Sequence, residues 1–142
     1  MQIRGTTLSE QMATNRSSRL EAIGIYPELA IGYFGLLLFM IGDGVEAGFL
    51  SPFLLQLGYS EAQIALVFTL YGLTAAIASW LSGALSDMLG AKRVMWIGLA
   101  VWVSLELPFL LYGISANNYH VILVTYMLRG FGYPLFAFGF LV

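Results

Sequence analysis

The sequence has 142 residues, of which 59% are hydrophobic and 10% are charged, and its formal net charge is -2. A soluble domain carries roughly 25% charged residues, so this composition, with a mean hydropathy of +0.83, indicates an integral membrane protein. The absence of cysteine excludes disulfides, thiolate catalysis and cysteine-ligated metal sites. No basic cluster lies in a polar region, which argues against a nucleic-acid partner.

Four apolar segments follow a polar N-terminal region. Residues 1–28 lack the apolar centre of a cleavable signal peptide, and we interpret them as a polar tail. Transmembrane helices are predicted at about 29–57, 63–86, 94–114 and 120–142, because a span needs about 20 predominantly apolar residues. The predicted fold is therefore an all-α integral membrane protein embedded in a lipid bilayer.

Lysine and arginine residues are confined to alternate connections. Those outside the predicted spans are Arg4, Arg16, Arg19, Lys92 and Arg93. They precede the first span or lie between the second and third spans, and the positive-inside rule places such regions in the cytoplasm. We expect a multi-pass protein of the cytoplasmic (plasma or inner) membrane with a cytoplasmic N-terminus.

Small residues recur at helical spacing in the first two spans. In lipid, such residues let helices approach closely, because packing rather than hydrophobicity drives association there. The candidates for helix packing are Gly44, Gly48, Gly72, Ala76, Ser79 and Gly83. Chance is the alternative, since small residues are common in membrane helices.

The connection after the second span has the sequence GALSDMLGAKRV, residues 83–94. It resembles the signature loop between the second and third helices of the major facilitator superfamily. The matching positions are Gly83, Leu85, Ser86, Asp87, Gly90, Lys92 and Arg93, whereas Met88, Leu89 and Ala91 depart from the family pattern. Gly90 suits a sharp turn, and Asp87 can pair with cations. The resemblance implies a role in alternating access, and a plain positive-inside loop is the alternative.

Three further segments resemble the polyol permease branch of that superfamily, the ribitol and D-arabinitol proton symporters. They read GDGVEAGFLSPFL, FTLYGLTAAIASWLSG and YMLRGFGYPLFAFGFLV, and the resemblance covers residues 27–142. It implies a twelve-helix carrier of which this chain is the first third, so the missing C-terminal helices would be its partners. It also implies a small polyol substrate, protons as the coupling ion and no cofactor.

Four ionisable residues are predicted at similar depth in the spans. A charge near mid-bilayer costs about 2.5–3.5 kcal/mol even on the lenient insertion scale. At about 1.5 Å per residue, Asp43, Glu46, Glu106 and Arg129 lie within about two helical turns of one another in depth. One cation faces three acids, so we expect at least one carboxyl to exchange protons while Arg129 neutralises another.

We predict a substrate- and proton-binding site in this layer. Its candidate residues are Asp43, Glu46, Arg129, Phe39, Tyr133 and Glu106. Carboxylates accept hydrogen bonds from sugar hydroxyls, and Phe39 or Tyr133 could lie against an apolar C–H face. The alternative is a static ion network that fixes helix packing, and for Glu106 the two interpretations are equally open.

Other functional classes have weaker support. Trp80, Trp96 and Trp102 are predicted to be interfacial or packing residues, and His120 a boundary residue. No nucleotide-binding loop, metal-ligand cluster or nucleophile–base pair appears, so neither an enzyme nor a metal site is predicted. The alternatives to a polyol symporter are a truncated, non-transporting membrane remnant or helix-interaction protein, and a carrier of another sugar or a dicarboxylate.

Overall fold

The computed structural model describes residues 30–141 as a set of helices joined by short connections. They are α1 (Ala30–Gln56), α2 (Glu61–Leu89), α3 (Ala91–Pro108), a π-helical continuation (Phe109–Ile114), α4 (Tyr119–Arg129) and α5 (Gly132–Leu141). Four stretches are long and apolar enough to cross a membrane: Ala30–Gln56, Glu61–Leu89, Ala91–Ile114 and Tyr119–Gly139. The predicted all-α membrane class is thus confirmed. The predicted tail, residues 1–28, lies outside the described residues.

The chain divides after Gly44 into two compact units. The first contains the described residues 30–44, which form the N-terminal part of α1. The second begins at Val45 and contains the rest of α1 and all the later helices.

Two glycines with positive φ allow the tight connections between the first three helices. Gly58 has φ +92° between α1 and α2, and Ser60 then begins α2 with a capping box in which Ser60 and Gln63 bond each other's backbone N–H groups. Gly90, with φ +85°, is the single residue between α2 and α3. A side chain at either position would be strained in this conformation.

The third span begins at Ala91, three residues before the predicted start at Val94, and it changes its winding after Pro108. Proline has no N–H to donate within a helix, and the chain continues beyond it as a π-helix. In this segment the N–H of Ser115 donates to the carbonyl of Leu110 at 3.0 Å, a five-residue spacing. The wider turn keeps the span continuous to Ile114.

The fourth span was predicted as one helix, but the structure has two helices there. α4 ends at Arg129 and α5 begins at Gly132. Pro134 cannot donate a hydrogen bond to the carbonyl of Gly130, so a regular helix cannot run through this point. Within the first turn of a new helix the missing N–H costs nothing, and Pro134 occupies that turn of α5.

An apolar core occupies one end of the second unit. Buried side chains come from the C-terminal part of α1, the N-terminal part of α2, the π-helical segment and α4. In chain order they are Leu50, Leu54, Ile64, Val67, Phe109, Ile122 and Tyr126. The hydroxyl of Tyr119 also donates to the carbonyl of Gln63 at 3.0 Å, which links α4 to α2. This core anchors the helices that carry the charged residues described below.

Close helix packing uses other glycines than the predicted ones. A Cβ at Gly98 would lie 2.5 Å from the backbone N of Phe136, and one at Gly132 would lie 2.9 Å from the carbonyl O of Gly98. α3 and α5 therefore approach each other backbone to backbone. Such contact leaves no room for a side chain at either glycine.

The predicted small-residue faces are open within residues 30–141. A Cβ at Gly44, Gly48, Gly72 or Gly83 would meet no described heavy atom within 4 Å outside its own helix. Ala76 is exposed, and the Ser79 hydroxyl donates to the carbonyl of Ala75 in its own helix. α2 instead buries a different face, with Thr74, Ala78, Ser82 and Ser86. Packing at the predicted stripe stays a prediction that this part of the chain does not test.

Candidate functional site

Arg129 is the most deeply buried charged residue of the described chain, with 0% of its surface exposed. It is the last residue of α4, immediately before the break in the fourth span. Its Nη2 lies 2.6 Å from Oε1 of Glu46 in α1. Its Nη1 donates a hydrogen bond to Oε2 of Glu106 in α3. One guanidinium therefore joins two carboxylates from two other helices.

The side chains of both carboxylates are partly exposed. The side chain of Glu46 is 24% exposed and that of Glu106 is 21% exposed, against 1% for Arg129. The two acids are thus partly exposed within the described residues, whereas the cation is buried. The three residues Glu46, Glu106 and Arg129 are called the charged triad below.

Three aromatic rings surround the guanidinium on its remaining sides. Its Cζ lies 4.8 Å from the ring centroid of Trp102, 4.9 Å from that of Tyr126 and 5.8 Å from that of Phe109. Each ring is within the range of a cation–π contact, which is strongest where water is excluded. The charge of Arg129 is therefore stabilised by ring faces as well as by carboxylates.

The carboxylates of the triad open onto one cavity of about 280 Å³. Its walls are Glu46, Phe49, Leu50, Phe53, Glu106, Phe109, Leu110 and Ile114. All other wall residues are apolar, so the acids are the polar groups that a ligand in this cavity would meet. A mostly apolar cavity with a few convergent polar groups is the usual form of a small-molecule site.

The helix break next to Arg129 is held by α2. The Thr74 hydroxyl donates to the carbonyl of Met127 at 2.6 Å, and that carbonyl also accepts the N–H of Gly130 at 3.1 Å. A Cβ at Gly130 would collide with Oγ1 of Thr74 and lie 2.6 Å from the carbonyl O of Tyr71. Gly130 is thus required for the close contact that fixes the end of α4 and the position of Arg129.

The structure brings together three of the predicted site residues, Glu46, Glu106 and Arg129. Tyr133 lies in the first turn of α5 and is not among the described residues that line the cavity. Asp43 and Phe39 belong to the unit that ends at Gly44. Participation of Asp43, Phe39 and Tyr133 in the site stays a prediction.

Trp102 and Tyr126 contact Arg129 but are not among the predicted site residues. Sequence spacing carries a signal for both, because Trp102 lies one turn before Glu106 and Tyr126 lies three residues before Arg129. Trp80 and Trp96 are exposed within the described residues, with 80% and 63% of their surfaces accessible, and their roles as interfacial or packing residues stay predictions. Trp102 lies farther from the α2–α3 connection than Trp80 and Trp96, and therefore deeper in its span.

The signature-loop residues are arranged differently from the triad. Gly90 forms the predicted turn with its positive φ. Asp87, Lys92 and Arg93 are exposed, and among the described residues none of the three takes part in a recorded ion pair. Their predicted role in alternating access stays a prediction. Within residues 30–141, no group of three or more acidic or histidine residues could hold a metal ion.

Comparisons with known proteins give consistent matches. A family profile described as Major Facilitator Superfamily matches residues 32–141. The chain is 48% identical over 122 residues to the putative transporter YoaB of Bacillus subtilis (strain 168), covering 86% of this chain and 30% of that protein. It is 41% identical over 120 residues to a D-arabinitol transporter of Klebsiella pneumoniae, covering 84% of this chain and 28% of that protein.

A third relative is named for a different class of substrate, a dicarboxylate. The chain is 43% identical over 123 residues to an alpha-ketoglutarate permease of Bacillus subtilis (strain 168), covering 87% of this chain and 28% of that protein. The chain thus spans less than a third of the length of these curated relatives, with shares of 30%, 28% and 28%. No solved structure gives a significant match.

Proposed function

Because the chain belongs to the Major Facilitator Superfamily, a family of transporters rather than of enzymes, we propose that it is part of a proton-coupled symporter for a sugar alcohol such as D-arabinitol or ribitol. The observation that carries the proposal is the cavity onto which Glu46 and Glu106 open together, joined by the guanidinium of Arg129. The remaining helices of the carrier would complete the wall of this cavity.

The charged triad provides a site for proton exchange. With both acids ionised, two negative charges face one positive charge that is buried. Addition of a proton to one carboxylate oxygen makes that acid neutral, while Arg129 keeps its ion pair with the other acid. The triad then has no net charge, and a neutral arrangement is favoured in a medium of low polarity.

The same cavity suits a polyol. Carboxylate oxygens accept hydrogen bonds from hydroxyl groups, and the rings of Phe49 and Phe109 offer apolar faces for the C–H groups of the carbon chain. The sequence suggested the same kind of contact for Phe39 or Tyr133, whose participation stays a prediction. Symport requires the proton and the polyol to be bound together: the protonated acid would donate a hydrogen bond to a substrate hydroxyl, and the acid still paired with Arg129 would accept one.

A dicarboxylate is the second candidate substrate, because the relative named as an alpha-ketoglutarate permease is 43% identical. An anion entering the cavity would meet two carboxylates, and like charges repel strongly at low dielectric. Arg129, the cation that could bind it, has no exposed surface. The local chemistry therefore favours an uncharged polyol.

The proposal includes a topology. The carrier would have twelve helices in the cytoplasmic membrane, with the N-terminus and the loop containing Lys92 and Arg93 in the cytoplasm, as the distribution of cations favours. A non-transporting membrane remnant is the contrasting proposal, and transport by the complete gene product distinguishes the two.

The proposal is tested by transport in vesicles that contain the complete gene product. Labelled D-arabinitol, ribitol and alpha-ketoglutarate are supplied with and without an imposed inward proton gradient. We expect the gradient to drive accumulation of a polyol, and a protonophore to abolish it. The variants E46Q and E106Q should each lower gradient-driven accumulation at least tenfold, because the amide cannot take up and release the proton.

Matched controls separate the triad from other acids. Glu61 lies in the exposed first turn of α2, so E61Q should transport like the wild type. D43N tests the predicted role of Asp43, and unchanged coupling would remove Asp43 from the proton path. Accumulation of alpha-ketoglutarate in place of polyols would overturn the proposed substrate, and the absence of transport would favour the remnant.

A further inference from the structure

The position of Arg129 creates a problem for proton exchange. Only 1% of the side chain is exposed, so water does not readily replace a carboxylate partner that becomes neutral. A buried charge that loses its partner is strongly destabilising. Protonation of Glu46 or Glu106 leaves Arg129 with one ionised carboxylate in place of two, so a group whose attraction does not depend on that proton would help to hold Arg129 during the step.

The rings of Trp102 and Tyr126 are placed to do this. Their centroids lie 4.8 Å and 4.9 Å from Cζ of Arg129, about one ångström closer than that of Phe109 at 5.8 Å. Trp gives the strongest cation–π contact of the aromatic residues. A ring face carries no net charge, so its attraction for the guanidinium does not disappear when a proton enters the triad.

Both rings are held by neighbouring helices. The backbone of α5 abuts Trp102, since a Cβ at Gly132 would lie 2.8 Å from Cβ of Trp102. Tyr126 packs against the rings of Phe68, Tyr71 and Phe109 at centroid distances of 5.6, 4.8 and 5.6 Å. The rings cannot easily move away from Arg129 when the carboxylates change charge.

From this geometry we infer that Trp102 and Tyr126 are positioning residues, which keep Arg129 in place while one of its carboxylate partners carries the transported proton. The inference rests on the proposed proton-coupled function. The titratable and charged groups of the second unit that face the guanidinium include Glu46 from α1, Glu106 from α3 and Tyr126 from α4, and Tyr71 of α2 lies behind Tyr126.

The inference predicts the direction of a pH shift. Without the Trp102 ring, Arg129 depends more on having both carboxylates ionised. Protonation of either acid then becomes less favourable, and a more acidic solution is needed to drive uptake. W102F should lower the pH of half-maximal gradient-driven uptake by roughly half a unit, and W102L by about one unit, in line with the order of cation–π strengths.

Conservative variants separate ring contact from general packing. Y126F keeps the ring and should retain the wild-type pH profile, whereas Y126L should shift it in the same direction as W102L. W96F is the matched control, since Trp96 is on the same helix and 63% exposed. It should leave the profile unchanged. The apparent polyol KM at saturating proton concentration should change less than twofold in W102F, because the ring does not line the cavity among the described residues.

The outcomes distinguish this inference from the proposed function. If wild-type uptake is proton-driven but W102F and Y126L share the pH profile of W96F, the positioning role is wrong and the proposed function stands. If wild-type uptake does not depend on the proton gradient, both fail. W102F replaces one aromatic ring by another, so it is less disruptive to folding than W102L. A melting temperature equal to that of the wild type would show that purified W102F is folded.

Discussion

The two charged clusters of the described chain contrast sharply. In the triad, Arg129 is fully buried and contacts Glu46 and Glu106. In the loop after α2, Asp87, Lys92 and Arg93 are exposed, with no ion pair recorded among the described residues. Burial forces each charge of the triad to find a partner of defined geometry, whereas water satisfies the charges of the loop. The difference between the two clusters is therefore one of burial: the Arg129 charge depends on protein partners, whereas the loop charges do not.

Substitution of the two arginines should show this contrast most strongly. R129L would leave two carboxylates without their buried cation, and loss of one partner of a buried ion pair costs about 3–5 kcal/mol. R93L removes an exposed charge and should cost less than about 1 kcal/mol. The measurement is thermal unfolding of the purified complete protein in lipid nanodiscs. Equal losses for both variants would contradict the assignment of Arg129 to a buried pair.

Glycine substitutions extend the comparison to the helices that carry the triad. G132A would place a Cβ 2.8 Å from Cβ of Trp102, and such overpacking typically costs about 1–3 kcal/mol. G72A is the control, since its Cβ would meet no described atom within 4 Å. The same unfolding assay should show a loss for G132A. A comparable loss for G72A would mean that helices outside residues 30–141 cover the predicted small-residue stripe.

The smallest expected effect concerns the support of the helix break. T74V preserves the shape of the side chain but removes the hydroxyl that donates to Met127, and a lost hydrogen bond of this kind costs about 1 kcal/mol. S79A removes a hydroxyl that bonds only within its own helix, and it should change stability less. The two variants are compared by melting temperature. T74V should also reduce uptake, because the lost hydrogen bond holds the end of α4, where Arg129 lies. An effect of S79A equal to that of T74V would argue against a special role for the break.

Several features of the site follow from the residue pattern. Depth along a span is set by counting residues at constant rise, and this placed Glu46, Glu106 and Arg129 in one layer that the ion pairs confirm. The turn at Gly90 follows from the conformational freedom of glycine, and the structure shows it with φ +85°. Local rules of chain geometry are sufficient in both cases.

Other features could not be predicted because they depend on how the helices are rotated. In a soluble protein the polar face of a helix marks its outside, but in lipid the outside and the inside are both apolar. The sequence of α2 therefore suggested the face with Gly72 and Ala76, whereas the helix buries Thr74 and Ala78. For the same reason, the spacing that places Trp102 one turn before Glu106 does not decide by itself that its ring contacts Arg129.

The sequence by itself determined that this is a multi-pass helical protein with ionisable groups at one depth, because continuous runs of about 20 apolar residues cross a bilayer as helices and charges within them are rare and costly. Tertiary structure alone decided that Arg129 is shared between Glu46 and Glu106 and enclosed by aromatic rings. It also decided that the break in the fourth span is held by α2, through the hydroxyl of Thr74. Partners on different helices are chosen by the rotation and close approach of those helices, which depend on contacts between residues far apart in the chain.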